Sequence, residues 1–302
     1  MNHEGRLAWI FGSSRSGSTW LLRMLAELRG VVPIDDPHLG HHLGVWRPIP
    51  LAWAACEDPP ELTTLLELKS EEPDYFFSER YRDSWWEPLR ELIAARFEAQ
   101  AIGTHRRLPA APTYVIKEPG SHAAPLLAEL FPESKLIFLL RDGRDVVDSW
   151  LAAYQDGTWA IQKGAFPVAP EGRLPLIRWL SEVWAFRCRA VQQAFETRPP
   201  GSRVLIRYEE LREQPLEGME AVCEMLDLDR AWLPEAVARH GFEQLPAAAR
   251  GPKQETRIAR PGAWRENLSR NEQEAMHAVM GKTLERFGYG GAGVESRIAS
   301  VV

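Results

Sequence analysis

The chain has 302 residues, a length that one large α/β domain can fill, and no Pro-, Gly- or Ser-rich run divides it. Apolar residues make up 45% and charged residues 26%, the balance of an ordinary globular protein, which excludes global disorder. The net charge is −6 and only six of the 36 basic residues are lysine, so we expect no nucleic-acid polymer as a partner and arginine at any anion site.

The cysteines Cys56, Cys188 and Cys223 have neither metal-ligand spacing nor a disulfide pattern. We therefore expect structural thiols in a reducing compartment. Residues 1–12 lack a basic region followed by a long apolar stretch, and no run of about 18 apolar residues occurs anywhere. These features predict a cytoplasmic protein without a signal peptide or a membrane anchor.

Four short apolar runs predict strands at residues 7–11, 113–116, 136–140 and 204–206. Helical patterns follow the first three runs, at residues 20–28, 124–130 and 146–154. Short apolar strands without alternation, each followed by a helix, are typical of a parallel sheet covered on both faces. We therefore predict a single α/β domain over residues 1–302, a three-layer sandwich around a mainly parallel sheet.

Residues 31–112 form a long segment between the first two predicted strands. The segment has Pro-rich turns, predicted helices at residues 61–68 and 85–98, and four of the twelve tryptophans: Trp46, Trp53, Trp85 and Trp86. Insertions at a sheet edge often cover substrates, so we expect an acceptor-site insertion here. Packing of these aromatic residues onto the core is an equally good interpretation.

The loop Phe-Gly-Ser-Ser-Arg-Ser-Gly-Ser-Thr-Trp, residues 11–20, links the first predicted strand to the first helix. Such a loop directs backbone N–H groups and the positive end of a helix toward one point, which suits a bound phosphate. Gly12 and Gly17 are spaced as in the P-loop of nucleotide triphosphatases, but Ser18 replaces the lysine of that motif. Arg15 supplies a cation from within this P-loop-like segment. A purely structural Gly/Ser turn is the alternative.

A second candidate anion site follows the strand at residues 136–140. If Asp142 caps the next helix, Ser149 lies about two turns further on and faces the same crevice as Arg141 at the strand end. Two such sites on strand ends imply a ligand with separated phosphates.

These two elements together resemble the sulfotransferases that use 3'-phosphoadenosine 5'-phosphosulfate (PAPS). The resemblance assigns residues 12–20 to the 5'-phosphosulfate, Arg141 with Ser149 to the 3'-phosphate, and Tyr208 and Trp20 to the adenine. A C-terminal segment around Gly262 and Trp264 resembles the part of the family that closes over the cofactor, with Arg257 and Arg260 as alternatives for the 3'-phosphate. The implied cofactor-binding residues are Ser14, Arg15, Ser16, Gly17, Ser18, Thr19, Trp20, Arg141, Ser149, Tyr208, Arg257 and Arg260.

The implied reaction moves the sulfuryl group in line from PAPS to a hydroxyl of a small molecule or carbohydrate, with 3',5'-bisphosphoadenosine (PAP) as product and no metal. Arg15 would stabilise the leaving oxygens, because a guanidinium stays protonated throughout. Lys117 stands 24 residues before Arg141, an interval that resembles the family's Lys-x-His strand end, and would contact the sulfuryl group.

The general base is open, because Pro119 stands where the resemblance expects a histidine. Glu118 is the first candidate and His122 the second. A further cluster of Asp36, His38, His41 and His42 could also contribute, although its spacing does not favour a zinc site.

Two other functions remain open at this stage. One is a nucleotide kinase or triphosphatase, which the serine at position 18 disfavours. The other is a catalytically inactive nucleotide-binding module.

Overall fold

The computed structural model describes residues 6–43, 49–104, 109–163, 165, 167–241, 244 and 260–290. A single sheet of five parallel strands, in the order β2-β3-β1-β4-β5, lies at its centre. The strands are β1 (Leu7–Phe11), β2 (Val31–Asp35), β3 (Thr113–Lys117), β4 (Lys135–Leu140) and β5 (Arg203–Arg207). The predicted α/β fold is therefore confirmed.

Helices cover both faces of the sheet. They are α1 (Ser18–Ala26), α2 (Leu39–His42), α3 (Pro50–Ala54), α4 (Leu65–Lys69), α5 (Arg82–Thr104), α6 (Ala124–Leu130), α7 (Gly143–Ala153), α8 (Trp159–Gln162), α9 (Pro170–Glu196), α10 (Tyr208–Glu213), α11 (Pro215–Leu226), α12 (Leu233–Arg239), α13 (Trp264–Asn267) and α14 (Arg270–Arg286). None of these helices in the described ranges is long and apolar enough to cross a membrane.

The two faces of the sheet form two apolar cores. Alternate residues of β1 show the division, because Trp9 and Phe11 pack among α5, α6, α7, α9 and α14, whereas Ala8 and Ile10 pack among α1, α11 and α12. All five residues of β1 are buried. Burial on both faces explains why the strand reads as a continuous apolar run rather than an alternating one.

The segment predicted as an insertion begins with the edge strand β2, because Val31 to Asp35 belong to the sheet and pair in parallel with β3. The sequence pattern does not predict this strand. Pro33 interrupts it, and a proline is tolerated there because an edge strand leaves one row of N–H groups unpaired. Val32 and Ile34 are fully buried, which anchors the strand.

The rest of the long segment contains α2 to α5. The predicted helix at residues 85–98 lies within α5, and Ile93 and Phe97 pack into the core. The helix predicted at residues 61–68 is the short α4. Trp53 of α3 packs edge-to-face on Trp179 of α9, with ring centroids 5.7 Å apart. Trp46 lies outside the described residues.

The strand order reverses beside β1, with β3 on one side and β4 on the other. Ligands of open α/β sheets bind in the crevice that such a reversal opens at the carboxyl ends of the strands. The fold therefore places the loop after β1, the end of β3 and the start of α7 around one crevice.

Candidate active site

The loop between β1 and α1 turns through two left-handed residues, Arg15 with φ 74° and Gly17 with φ 91°. Arginine rarely adopts a positive φ, and backbone strain of this kind concentrates at functional sites. Gly17 is the N-cap of α1 and has no side chain that could cap this end of the helix. Its first N–H groups and positive dipole therefore face the crevice, as an anion site requires.

Tyr208 packs directly beneath this loop. A Cβ on Gly17 would lie only 2.6 Å from Cδ2 of Tyr208, so glycine is required there for space as well as for φ. The Tyr208 ring also contacts Trp20 edge-to-face, with ring centroids 6.4 Å apart. The guanidinium of Arg141 lies over the same Tyr208 ring, 4.4 Å from its centroid. The resemblance placed these aromatic residues near the adenine, and they lie together next to the loop.

Arg141 and Ser149 are both hydrogen-bonded to Arg15. Nη1 of Arg141 donates to the carbonyl oxygen of Arg15 at 2.7 Å, and Nε of Arg15 donates to Oγ of Ser149 at 3.2 Å. Asp142 caps α7 as predicted, since its carboxylate accepts from the backbone N–H of Arg144. The two predicted anion sites are therefore neighbours, joined through Arg15, which also lies over the Trp159 ring.

Arg141 retains unused hydrogen-bonding capacity. The residue is 4% exposed, and neither Nε nor Nη2 has a hydrogen-bond partner within the described residues. Oγ of Ser16 in the loop is in the same state. A buried guanidinium with unmet donors is costly, and an anion bound between these groups would remove that cost.

Lys117 ends β3 and is 6% exposed. Its Nζ donates to Oγ1 of Thr19 at 2.8 Å, which places it at the loop. The same Nζ forms ion pairs with Oδ1 of Asp35 at 2.6 Å and Oδ2 of Asp36 at 3.1 Å. Lys117 therefore connects the loop after β1 to the turn after β2.

Glu118 is buried, with 1% of its surface exposed, beneath the turn that follows β2. Its carboxylate accepts backbone N–H groups from Leu39 at 2.8 Å, Gly40 at 3.4 Å and Gly120 at 2.6 Å. Burial raises the pKa of Glu118 to about 7, although these hydrogen bonds act in the opposite direction. The Glu118 carboxylate thus links the turn after β2 to the turn after β3 by hydrogen bonds.

His122 is also buried, and its Nε2 lies 3.0 Å from the carbonyl oxygen of Gly40. Its ring stacks on Phe186 and contacts His41, which in turn contacts His38. Among the residues that the structure describes, no three His, Cys, Asp or Glu side chains are grouped to hold a metal ion.

Asp36 is exposed, with 45% of its side chain accessible, as is its neighbour Asp35 with 57%. Its φ of 48° is left-handed, as is the 57° of His38, so this turn is strained twice within three residues. His42 is exposed at the end of α2. Of the candidate bases, Glu118 and His122 face backbone groups, whereas Asp36 faces both Lys117 and solvent.

The start of the C-terminal segment is fixed to α7. Asp145 accepts the backbone N–H groups of Gly262 at 2.8 Å and Trp264 at 3.4 Å. Arg260 is exposed and forms an ion pair with Glu266. Arg257 lies outside the described residues.

A cavity of about 470 Å³ adjoins this segment, lined in part by Asp142, Asp145, Glu209, Gly262 and Tyr289. Glu209 accepts from the backbone N–H of Asp142 and from the hydroxyl of Tyr289. Burial raises the pKa of both Asp145 and Glu209. Four acidic side chains line the cavity against two arginines, Arg212 and Arg265, so its wall suits a phosphate less well than the buried guanidinium of Arg141 does.

The structure adds one basic residue that the sequence pattern does not reveal. Arg187 on α9 is 9% exposed, and its Nη1 donates to Oγ of Ser14 in the loop at 3.1 Å. The two residues are 173 positions apart, and no motif surrounds Arg187. Asp35 at the end of β2 is the other missed neighbour, because the strand itself is not predicted.

Comparison with known proteins agrees with this geometry. The model of the sulfotransferase family matches residues 8–232. No curated protein sequence matches the chain significantly.

Solved structures resemble the chain in fold. The sulfotransferase domain of an olefin synthase from Synechococcus PCC 7002 is 16% identical over 90% of this chain and 93% of that chain, with a TM-score of 0.51. A mouse sulfotransferase complexed with PAP is 12% identical over 94% and 89%, with a TM-score of 0.54. A Mycobacterium avium sulfotransferase is 16% identical over 94% and 77%, with a TM-score of 0.52. Since the family model spans most of the chain, this protein belongs to the sulfotransferase family.

Proposed function

We propose that the protein transfers the sulfuryl group of PAPS to a hydroxyl of a small molecule or carbohydrate. The observation that carries this proposal is the buried guanidinium of Arg141, which retains two unused donors beside the phosphate loop and Ser149. PAPS has two phosphate positions, and the two anion sites that meet at Arg15 suit them. The mouse structure with PAP supports the proposal, because it shows a protein of this fold with that nucleotide.

In the proposed reaction the acceptor oxygen forms a bond to sulfur while the bond from sulfur to the 5'-phosphate oxygen breaks. PAP leaves with that electron pair, and the acceptor proton passes to a base. Arg15 and the loop N–H groups stabilise the charge that grows on the leaving phosphate, and Lys117 stabilises the charge on the sulfuryl oxygens. The loop lacks the P-loop lysine, so neither the family match nor this chemistry favours a kinase or triphosphatase.

We infer that Asp36 is the base. Its carboxylate is exposed, lies 3.1 Å from Nζ of Lys117, and is held in a strained turn at the edge of the crevice. Glu118 was the first candidate from the sequence, but its carboxylate is 1% exposed and accepts three backbone N–H groups. A supporting role for Glu118 and His122 beneath the turn fits these contacts better.

The experiment combines nucleotide binding with turnover. Calorimetry of the purified protein should show PAP binding, and Arg141→Met should weaken it by at least about tenfold, because charged hydrogen bonds to the phosphate are lost. Release of PAP from PAPS with a panel of hydroxyl acceptors then measures transfer. Arg15→Met should abolish that release. Tight PAP binding without release for any acceptor would instead favour an inactive binding module.

The base is tested with a matched pair of variants. Asp36→Asn should reduce transfer about 100-fold, whereas Asp35→Asn, which also removes an ion-pair partner of Lys117, should reduce it only a few-fold. Equal effects of the two changes would show that only the ion pairs matter. A loss of similar size in Glu118→Gln, with its fold intact, would return the role of base to Glu118.

A further inference from the structure

Helix α9 crosses the carboxyl ends of the three central strands. Within one turn, Trp184 donates its Nε1–H to the carbonyl oxygen of Arg141 after β4, at 3.2 Å. Arg187 reaches Ser14 after β1, and Phe186 stacks on His122 after β3, with centroids 6.1 Å apart. Neighbouring residues of one helix therefore contact each strand end that forms the crevice.

The three strands that these residues contact lie side by side in the order β3-β1-β4. In the proposed function the 3'-phosphate lies on the β4 side, at Arg141 and Ser149, and the acceptor approaches from the β2–β3 side, at Asp36. The sulfuryl group must lie between them, above the loop after β1. Arg187 contacts this part of the loop.

The side chain of Arg15 does not occupy the position above the loop, so another cation can bind the sulfuryl group there. Its Nε is hydrogen-bonded to Ser149 and its guanidinium lies 5.4 Å from the Trp159 ring centroid, so its side chain extends toward the 3'-phosphate side. Arg187 reaches the loop from α9, where its Nη1 donates to Oγ of Ser14, and is 9% exposed. A guanidinium at this place can donate to two oxygens of a sulfuryl group.

We propose, on the basis of the proposed function, that Arg187 binds the sulfuryl end of the donor and so distinguishes PAPS from PAP. Lys117 contacts the loop at Thr19 and Arg187 contacts it at Ser14, so the two cations bind the loop at positions five residues apart. The sulfuryl oxygens would be held between them. Recognition of this kind allows the product PAP, which has no sulfuryl group, to leave while PAPS is retained.

The test compares the affinities of the whole chain for PAPS and PAP in two variants. Arg187→Met should raise the Kd for PAPS about 10- to 30-fold, which corresponds to one charged hydrogen-bonding group, and change the Kd for PAP less than about threefold. Arg141→Met is the matched control, because both nucleotides carry the 3'-phosphate. It should raise both Kd values by similar factors.

The possible results distinguish a failure of the proposed function from a failure of the role of Arg187. Wild-type protein that binds neither nucleotide would contradict the proposed function itself. Wild-type binding with equal losses of PAPS and PAP in Arg187→Met, or with no loss, would overturn the role of Arg187 alone. Should Arg187→Met unfold, Arg187→Lys keeps the charge but not the two-pronged donor, and preferential loss of PAPS is again the expected result. Thermal unfolding of every variant serves as the control for folding.

Discussion

Glu118 makes the stability of this protein depend on pH in a direction that can be measured. Burial raises its pKa from 4.5 to about 7. One pKa unit corresponds to about 1.4 kcal/mol, so ionising this carboxyl costs roughly 3 kcal/mol more in the folded protein than in the unfolded chain. The group therefore contributes its full stability below the unfolded pKa and loses that contribution as the pH rises through about 7.

Glu118→Gln removes the ionisation and leaves a carbonyl oxygen that can accept from Gly120 or Leu39. We expect urea unfolding at pH 5 and pH 8 to show the free energy of unfolding of the variant rising, relative to the wild type, by roughly 2–3 kcal/mol between the two values. Glu91→Gln, an exposed change on α5, is the control and should leave the profile unchanged. Parallel pH profiles of wild type and Glu118→Gln would refute the reasoning.

Three other changes give distinct outcomes. Gly17→Ala should lower stability by about 1–2 kcal/mol and abolish PAP binding, because of the φ of 91° and the Tyr208 ring, whereas Gly103→Ala, with open space around it in α5, should not destabilise. Asp145→Ala should speed proteolysis between residues 260 and 265 and weaken PAP binding about tenfold, because the N–H groups of Gly262 and Trp264 lose their acceptor. Unchanged cleavage would show that Asp145 does not hold this segment. Lys117→Met should reduce transfer about 100-fold with PAP affinity within about threefold, and a large loss of PAP binding would place Lys117 at a phosphate instead.

Local sequence patterns correctly predicted the features that depend on neighbouring residues alone. The cap at Asp142 and the run of apolar residues in β4 are both present as predicted, because a cap and a buried strand depend on neighbouring residues. The same dependence on local signal explains why β2 was not predicted. Five residues with a central proline carry little periodicity, and only pairing with β3 makes them a strand.

The sequence by itself determined the alternation of short apolar strands with helices, and hence the parallel α/β fold, together with the loop after β1 and the spacing of Arg141 and Ser149. The tertiary structure decided which charges meet there. Glu118 is buried under a turn, because backbone N–H groups of Leu39 after β2 and of Gly120 in its own turn surround its carboxylate. Arg187 reaches Ser14 across 173 positions, because α9 packs over the strand ends, a contact between distant segments that no local pattern encodes.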